Sequence, residues 1–133
     1  MPGTATITTT GLYQVLQNAT DLDRAVAFYE DVLGLKLLGK FDPPGLALFD
    51  AGGPRIMLST EGKHDGVIYL RVDDLHQVVE DLRAKGVTIE HEAHVIFKDT
   101  NGQIHPVGTE EWMAFFRDSE DNLVGLASTV PPG

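Results

Sequence analysis

Cysteine is absent from the 133 residues. That excludes disulfides, thiolate metal sites and a cysteine nucleophile, and it fits a reducing compartment. Basic residues are scarce, with 10 Lys and Arg against 20 Asp and Glu and a formal net charge of −10. A nucleic acid is therefore not an expected partner, because such binding rests on lysine and arginine neutralising phosphates. No apolar run approaches membrane-spanning length. Residues 1–10 are rich in threonine and lack the basic start and apolar centre of a signal peptide. A cytoplasmic protein with no membrane partner is expected. A glycine-rich phosphate loop is also missing, since Gly52-Gly53 reads as a hairpin turn. No nucleophile–base pair and no close carboxylate pair stands at a readable spacing. Asp118, Glu120 and Asp121 read as a solvated turn, and Glu110 and Glu111 as edge charges that block strand pairing.

What is present is one phrase used twice. Asp21-Leu22-Asp23-Arg24-Ala25-Val26-Ala27-Phe28-Tyr29 leads to Leu33-Gly34, and Asp74-Leu75-His76-Gln77-Val78-Val79-Glu80-Asp81-Leu82 leads to Lys85-Gly86. Thr20 or Asp21 caps the first helix, because a short side-chain oxygen can accept an orphan backbone N–H. Leu22, Ala25, Val26, Tyr29, Val32 and Leu33 then recur at helical spacing as one apolar stripe. In the echo, Asp73 or Asp74 is the cap, and Leu75, Val78, Val79 and Leu82 are the stripe. Gly34 and Gly86 stand where a left-handed helix end wants glycine.

Strands are expected at 12–19, 35–41, 46–50 and 55–59, with 61–65 a linker. The second set is expected at 66–72, 87–97, 111–117 and 122–128, the long one bulged. The pattern is βαβββ twice, an α+β fold. One helix covers one face of a four-stranded sheet. The other face must curl round a cavity or meet a second sheet, so two modules are expected to form a curved mixed-sheet bowl with the helices outside.

The first phrase, with Val32-Leu33-Gly34-Leu35, resembles the first-helix signature of the vicinal oxygen chelate superfamily. That group holds the glyoxalases, bleomycin-resistance proteins and extradiol dioxygenases. Val72-Asp73-Asp74-Leu75 with Lys85-Gly86-Val87 is similar to its second-module helix, and Phe115-Phe116-Arg117-Asp118 with Asn122-Leu123 to its closing hairpin. The resemblance covers residues 11–128 and implies a single domain over 1–133, with modules at about 11–60 and 66–129. The family's hairpin usually reads Asp-Pro-Asp-Gly-Asn, and this one reads Asp118-Ser119-Glu120-Asp121-Asn122. The hairpin is expected to survive that change.

The resemblance also implies four metal-ligand positions. They fall on Gln14 and Val67, each seven residues before a capping aspartate, on Met57 in the fourth strand and on Gly125 in the last. A divalent cation needs about three or more protein donors. Val67 and Gly125 offer none, Met57 offers a soft thioether, and Gln14 is neutral. No metal and no cofactor are therefore expected. Of the five histidines, His64, His76, His91 and His105 read as polar surface groups. His91 and His94 are three apart, so without a bulge they face opposite ways. His94 borders an apolar run and faces the bowl mouth.

Strand alternation from these positions gives a lining of Gln14, Met57, Val67, Tyr69, Arg71, His94, Met113 and Phe115, with Trp112 close by. Apolar residues with a few polar points suit a small-molecule pocket. The same spacing also suits a closed core. Arg71, if inward, favours a carboxylate or phosphate; at the strand end it is solvated. The expected function is metal-independent small-molecule binding of the bleomycin-resistance kind, by a homodimer. The alternatives are a glyoxalase-like lyase, isomerase or dioxygenase with unconventional ligands or with His94 and Tyr69 acting directly, and a structural or partner-binding module with a collapsed bowl. No catalytic residue is assigned.

Overall fold

The computed structural model describes residues 7–62 and 66–132. His64, most of the expected linker and the first six residues lie outside them. The chain divides into two compact units, 13–67 and 1–12 with 68–133. Each carries a four-stranded mixed sheet and one principal helix.

In the unit 13–67, β1 (Leu12–Asn18) leads to α1 (Leu22–Ala27), then β2 (Lys36–Phe41), β3 (Leu46–Asp50) and β4 (Arg55–Ser59). β2, β3 and β4 pair antiparallel, and β4 pairs parallel with β1. Asp21 is the cap, its carboxylate accepting the Arg24 N–H at 3.0 Å. Leu22 and Val26 from α1 pack with Ala47, Phe49 and Leu58 as the core. The expected stripe fails at its end. Residues Phe28–Val32 form a π-helical turn, in which the Leu33 N–H bonds the Phe28 carbonyl at 3.1 Å. The wider turn rotates the last apolar residues off the core, leaving Val32 66% and Leu33 50% exposed.

In the other unit, β5 (Ile68–Arg71) leads to α2 (Leu75–Ala84), then β6 (Ile89–Lys98), β7 (Glu110–Arg117) and β8 (Leu123–Val130). β5 pairs parallel with β8, and β8–β7 and β7–β6 pair antiparallel. Asp74 caps α2 through Gln77 N–H at 3.1 Å. Leu75, Val78, Val79 and Leu82 bury against Val72, Ala114 and Leu126. Each large side chain so removed from water contributes about 1.5–3 kcal/mol. The β7–β8 hairpin forms without proline or glycine. The Asp118 carboxylate accepts the N–H groups of Glu120 and Asn122 at 2.8 and 2.9 Å, and Asp121 takes φ 65°.

The chain thus has the expected α+β architecture of two βαβββ modules. Each sheet has a helix-bearing face and a helix-free face.

Candidate functional site

Period-two alternation sorts the strands of each unit. In the unit 13–67, Ile56 and Leu58 pack towards α1. Arg55 and Met57 therefore face the helix-free side, and so do their register partners Gln14 and Leu16. Gln14 is 1% and Arg55 7% exposed. The Arg55 guanidinium donates to Gln14 Oε1, from Nε at 2.9 Å and from a second nitrogen as well. It also lies 4.6 Å from the Tyr13 ring centroid, within cation–π range. The Gln14 amide nitrogen donates to Met57 Sδ at 3.7 Å. Val67 is buried, and its carbonyl accepts the Leu16 N–H at 3.0 Å.

This arrangement tests the divalent centre that the family resemblance implies. The one hard oxygen donor, Gln14 Oε1, is directed at a guanidinium. A cation there would have to displace Arg55 and then sit beside its positive charge. Met57 sulfur is already an acceptor, and Val67 has no donor atom. These residues do not fit a hard divalent ion.

The fourth position belongs to the other unit. There Leu70 and Val72 pack under α2, while Tyr69 faces the helix-free side opposite Gly125. A Cβ built on Gly125 would stand 2.5 Å from Tyr69 Cδ2. The aromatic ring thus fills the space in which a ligand side chain at 125 would begin. Tyr69 is 5% exposed and meets Phe115 edge-on at 5.6 Å. Met113, two residues along, is buried as well. Arg71 is partly buried at the end of β5, and its backbone pairs with Thr10 and Gly11.

β6 is bulged. A register shift between His91 and His94 sets them opposite Phe115 and Met113, two residues that share a face. His91 stacks edge-on against Phe115 at 5.7 Å. His94 is exposed, with Nδ1 2.7 Å from the Glu92 carbonyl oxygen. Among the described residues, no three His, Asp or Glu side chains gather as a metal site.

Trp112 is expected only close to the lining. It lies on the helix-bearing face, against His76 at 5.2 Å. There Asp73, His76, Glu110, Trp112 and Ser128 border a cleft of about 300 Å³.

Glu111, expected as an edge charge that blocks strand pairing, is instead paired on both sides, with Thr129 and Phe97. It is 4% exposed and accepts a hydrogen bond from His105 Nε2 at 2.8 Å. An ionised carboxylate buried without partners would cost several kcal/mol, on the order of the burial penalty for any single ion. His105 is part of what offsets it, and so is not a free surface group. Its loop is organised by Asp99, 1% exposed, whose carboxylate accepts the N–H groups of Gln103, Ile104 and His105 at 3.0, 2.7 and 2.7 Å. Those bonds, the His105 N–H foremost, hold the Asp99 pKa down to about 2. Counting back by twos from Phe115 and Met113 reaches Glu111, so the signal for its face was in the sequence.

Comparison with known proteins agrees with this fold. Residues 11–126 match the family model of the Glyoxalase/Bleomycin resistance protein/Dioxygenase superfamily. The uncharacterized protein YraH of Bacillus subtilis (strain 168) is 28% identical over 135 residues, covering 86% of this chain and 95% of that protein. A hypothetical protein from Bacillus halodurans C-125 superposes with a TM-score of 0.70 at 17% identity, covering 92% of this chain and 96% of the other. Methylmalonyl-CoA epimerase from Mycobacterium tuberculosis superposes with 0.69 at 24% identity, covering 96% and 93%. At those identities the two structures speak for the fold alone. The match over residues 11–126 carries more: the chain is a member of the Glyoxalase/Bleomycin resistance protein/Dioxygenase superfamily.

Proposed function

We propose that this protein binds a small organic molecule and does so without a divalent-metal centre, in the manner of bleomycin-resistance-type members of its superfamily. The observation that carries the reading is the state of the Gln14 oxygen. It is held by Arg55 inside the protein, so the best available donor is already committed. The Tyr69 ring over Gly125 supports the same conclusion in the other unit. In the unit 13–67 the proposed ligand contacts are Gln14, Met57 and Val67. In the other they are Tyr69, Arg71, His94, Met113 and Phe115. The mixture of thioether, aromatic and few polar groups favours a ligand that is apolar in body with one or two polar points.

The proposed setting is cytoplasmic and the proposed assembly a homodimer. Exposed Phe28, Val32 and Leu33 give the unit 13–67 an apolar patch that self-association would cover. Light scattering at micromolar concentration reads the mass directly, and a monomer mass rejects the dimer.

The binding reading is tested by native mass spectrometry and elemental analysis of protein purified without added metal. A retained organic mass with substoichiometric metal is expected. One equivalent of a transition metal or magnesium per chain would overturn it. A second reading, metal-free lyase or isomerase chemistry, is favoured by one specific observation, the buried His105–Glu111 pair.

A further inference from the structure

We propose that His105 is a general base, locked by Glu111 with its proton on Nε2, so that Nδ1 takes a proton from the bound substrate. This rests on the second reading above, metal-independent chemistry in this fold, and names the group that performs it.

The argument starts from what a carboxylate can do. Ionised Glu111 has acceptors only, so the 2.8 Å contact assigns the hydrogen to His105 Nε2. Neutral imidazole has one N–H and one lone pair, and the lone pair is then on Nδ1. No hydrogen bond to Nδ1 is made among the described residues. The residue is held by its ring and by its backbone. Glu111 fixes the Nε2 edge from β7, and Asp99 fixes the backbone through the His105 N–H at 2.7 Å. Such double tethering is how a base is kept oriented before its substrate arrives.

The surroundings suit the step. Glu111 shares its strand face with Met113 and Phe115 and stands opposite Phe97 in register. His105 itself is 18% exposed, so the ring is sheltered but reachable. Thr109, whose backbone N–H bonds the Pro106 carbonyl at 3.0 Å, carries a buried hydroxyl that has no hydrogen-bond partner. It is a second polar group beside the same turn left for a bound molecule or water.

In the reaction, an acidic hydrogen of the substrate leaves as a proton to Nδ1, and its bond electrons stay on the substrate. His105 becomes imidazolium, and the adjacent Glu111 carboxylate stabilises that charge as it forms. Return of the proton to another atom of the same molecule completes an isomerisation. Nothing is oxidised or reduced, and no cofactor is consumed. The substrate class is a weakly acidic organic molecule. Asp99 is a positioning residue in this scheme.

Two measurements on the whole protein test it. Long-range proton–nitrogen NMR of the wild type reads the His105 tautomer directly and needs no variant. The Nε2–H form is expected, and an Nδ1–H form overturns the proposal. Diethyl pyrocarbonate labelling, followed by peptide mass spectrometry, reads the nucleophilicity of the free nitrogen. His105 should be carbethoxylated. Glu111→Gln should slow labelling about tenfold while His76 labels at an unchanged rate, since an amide can donate to Nε2 and move the lone pair there. An inert His105, or an unchanged rate in a folded Glu111→Gln protein, overturns the proposal. A metal found by elemental analysis would sink the metal-free readings, including the one on which this proposal rests, without altering the His105 tautomer or its labelling, so the two kinds of failure are separable.

Discussion

The ring of Tyr69 packs on the bare backbone of Gly125, its register partner across the parallel β5–β8 pair. A methyl group on residue 125 would stand 2.5 Å from Cδ2 and 3.0 Å from Cγ of that ring. Cγ is not the far end of a flexible chain, so ring or backbone must shift. Gly125→Ala is expected to destabilise by about 1–3 kcal/mol, the usual cost of overpacking a filled interior. Tyr69→Ala alone should also destabilise, through the lost ring. In the double variant the two costs should fall short of their sum by more than about 0.5 kcal/mol, because the clash vanishes with the ring. Urea denaturation of the four proteins measures this cycle, and strict additivity would mean the ring does not fill that place.

Gln14 and Arg55 make the corresponding test in the unit 13–67. Gln14→Leu removes the acceptor that faces a buried guanidinium, and hydrogen bonds to charged groups contribute about 1.5–3 kcal/mol. A loss of that size is expected by chemical denaturation. Gln14→His should not create a metal site, since Met57 and Val67 remain poor partners. Its melting temperature is expected to be the same with Mn²⁺, Zn²⁺ or chelator. A rise with any one of these ions would show that the neighbouring positions can supply ligands.

The hairpin turn allows a gain. Asp121 is the one non-glycine residue with positive φ among those described, at 65°. Left-handed backbone costs an ordinary L-residue about 1–2 kcal/mol, and aspartate less. Glycine removes that cost but loses more entropy on folding. The balance predicts that Asp121→Gly stabilises by roughly 0.5 kcal/mol. Asp121→Val should destabilise, because a β-branched residue tolerates that region worst. Thermal unfolding distinguishes the two signs.

What was legible in the sequence was local or periodic. The caps at Asp21 and Asp74 follow from the chemistry of orphan N–H groups, and the α2 stripe follows from helical spacing. Of the metal positions that the family resemblance implies, the donor-poor Gln14 and Val67 are counted from those caps. The Gln14–Arg55 contact was not legible, because it needs the parallel β1–β4 register, which no local signal carries. Nor was the His105–Glu111 pair, since it depends on a loop that only closes round Asp99. The π-helical turn was missed because regular spacing assumes a constant turn angle. Its consequence can be measured. Val26→Ala, at a buried position, should cost about 2 kcal/mol, within the range for emptied core sites. Val32→Ala, on the same expected stripe but exposed, should stay within about 0.5 kcal/mol. Equal losses at the two sites would restore the uninterrupted helix.

Asp99 ties loop stability to pH. Its pKa falls from 3.8 to about 2 because the folded loop turns several N–H groups onto the carboxylate, that of His105 foremost. A folded-state pKa below the unfolded value means that protons bind the unfolded chain more tightly. The stabilisation is thus fully present above about pH 4 and is lost as pH falls through about 2. Amide proton shifts of Gln103, Ile104 and His105 should titrate together with a midpoint near 2, since all three donate to one carboxylate. Asp99→Asn keeps one acceptor oxygen and puts a donor where the other was. It should lower stability at neutral pH, and the gap to wild type should close as pH falls below about 4. It should also slow the labelling of His105, because the backbone that presents the imidazole is then loose. A gap that stays constant through that acid range would mean the loop is held by something other than the Asp99 charge.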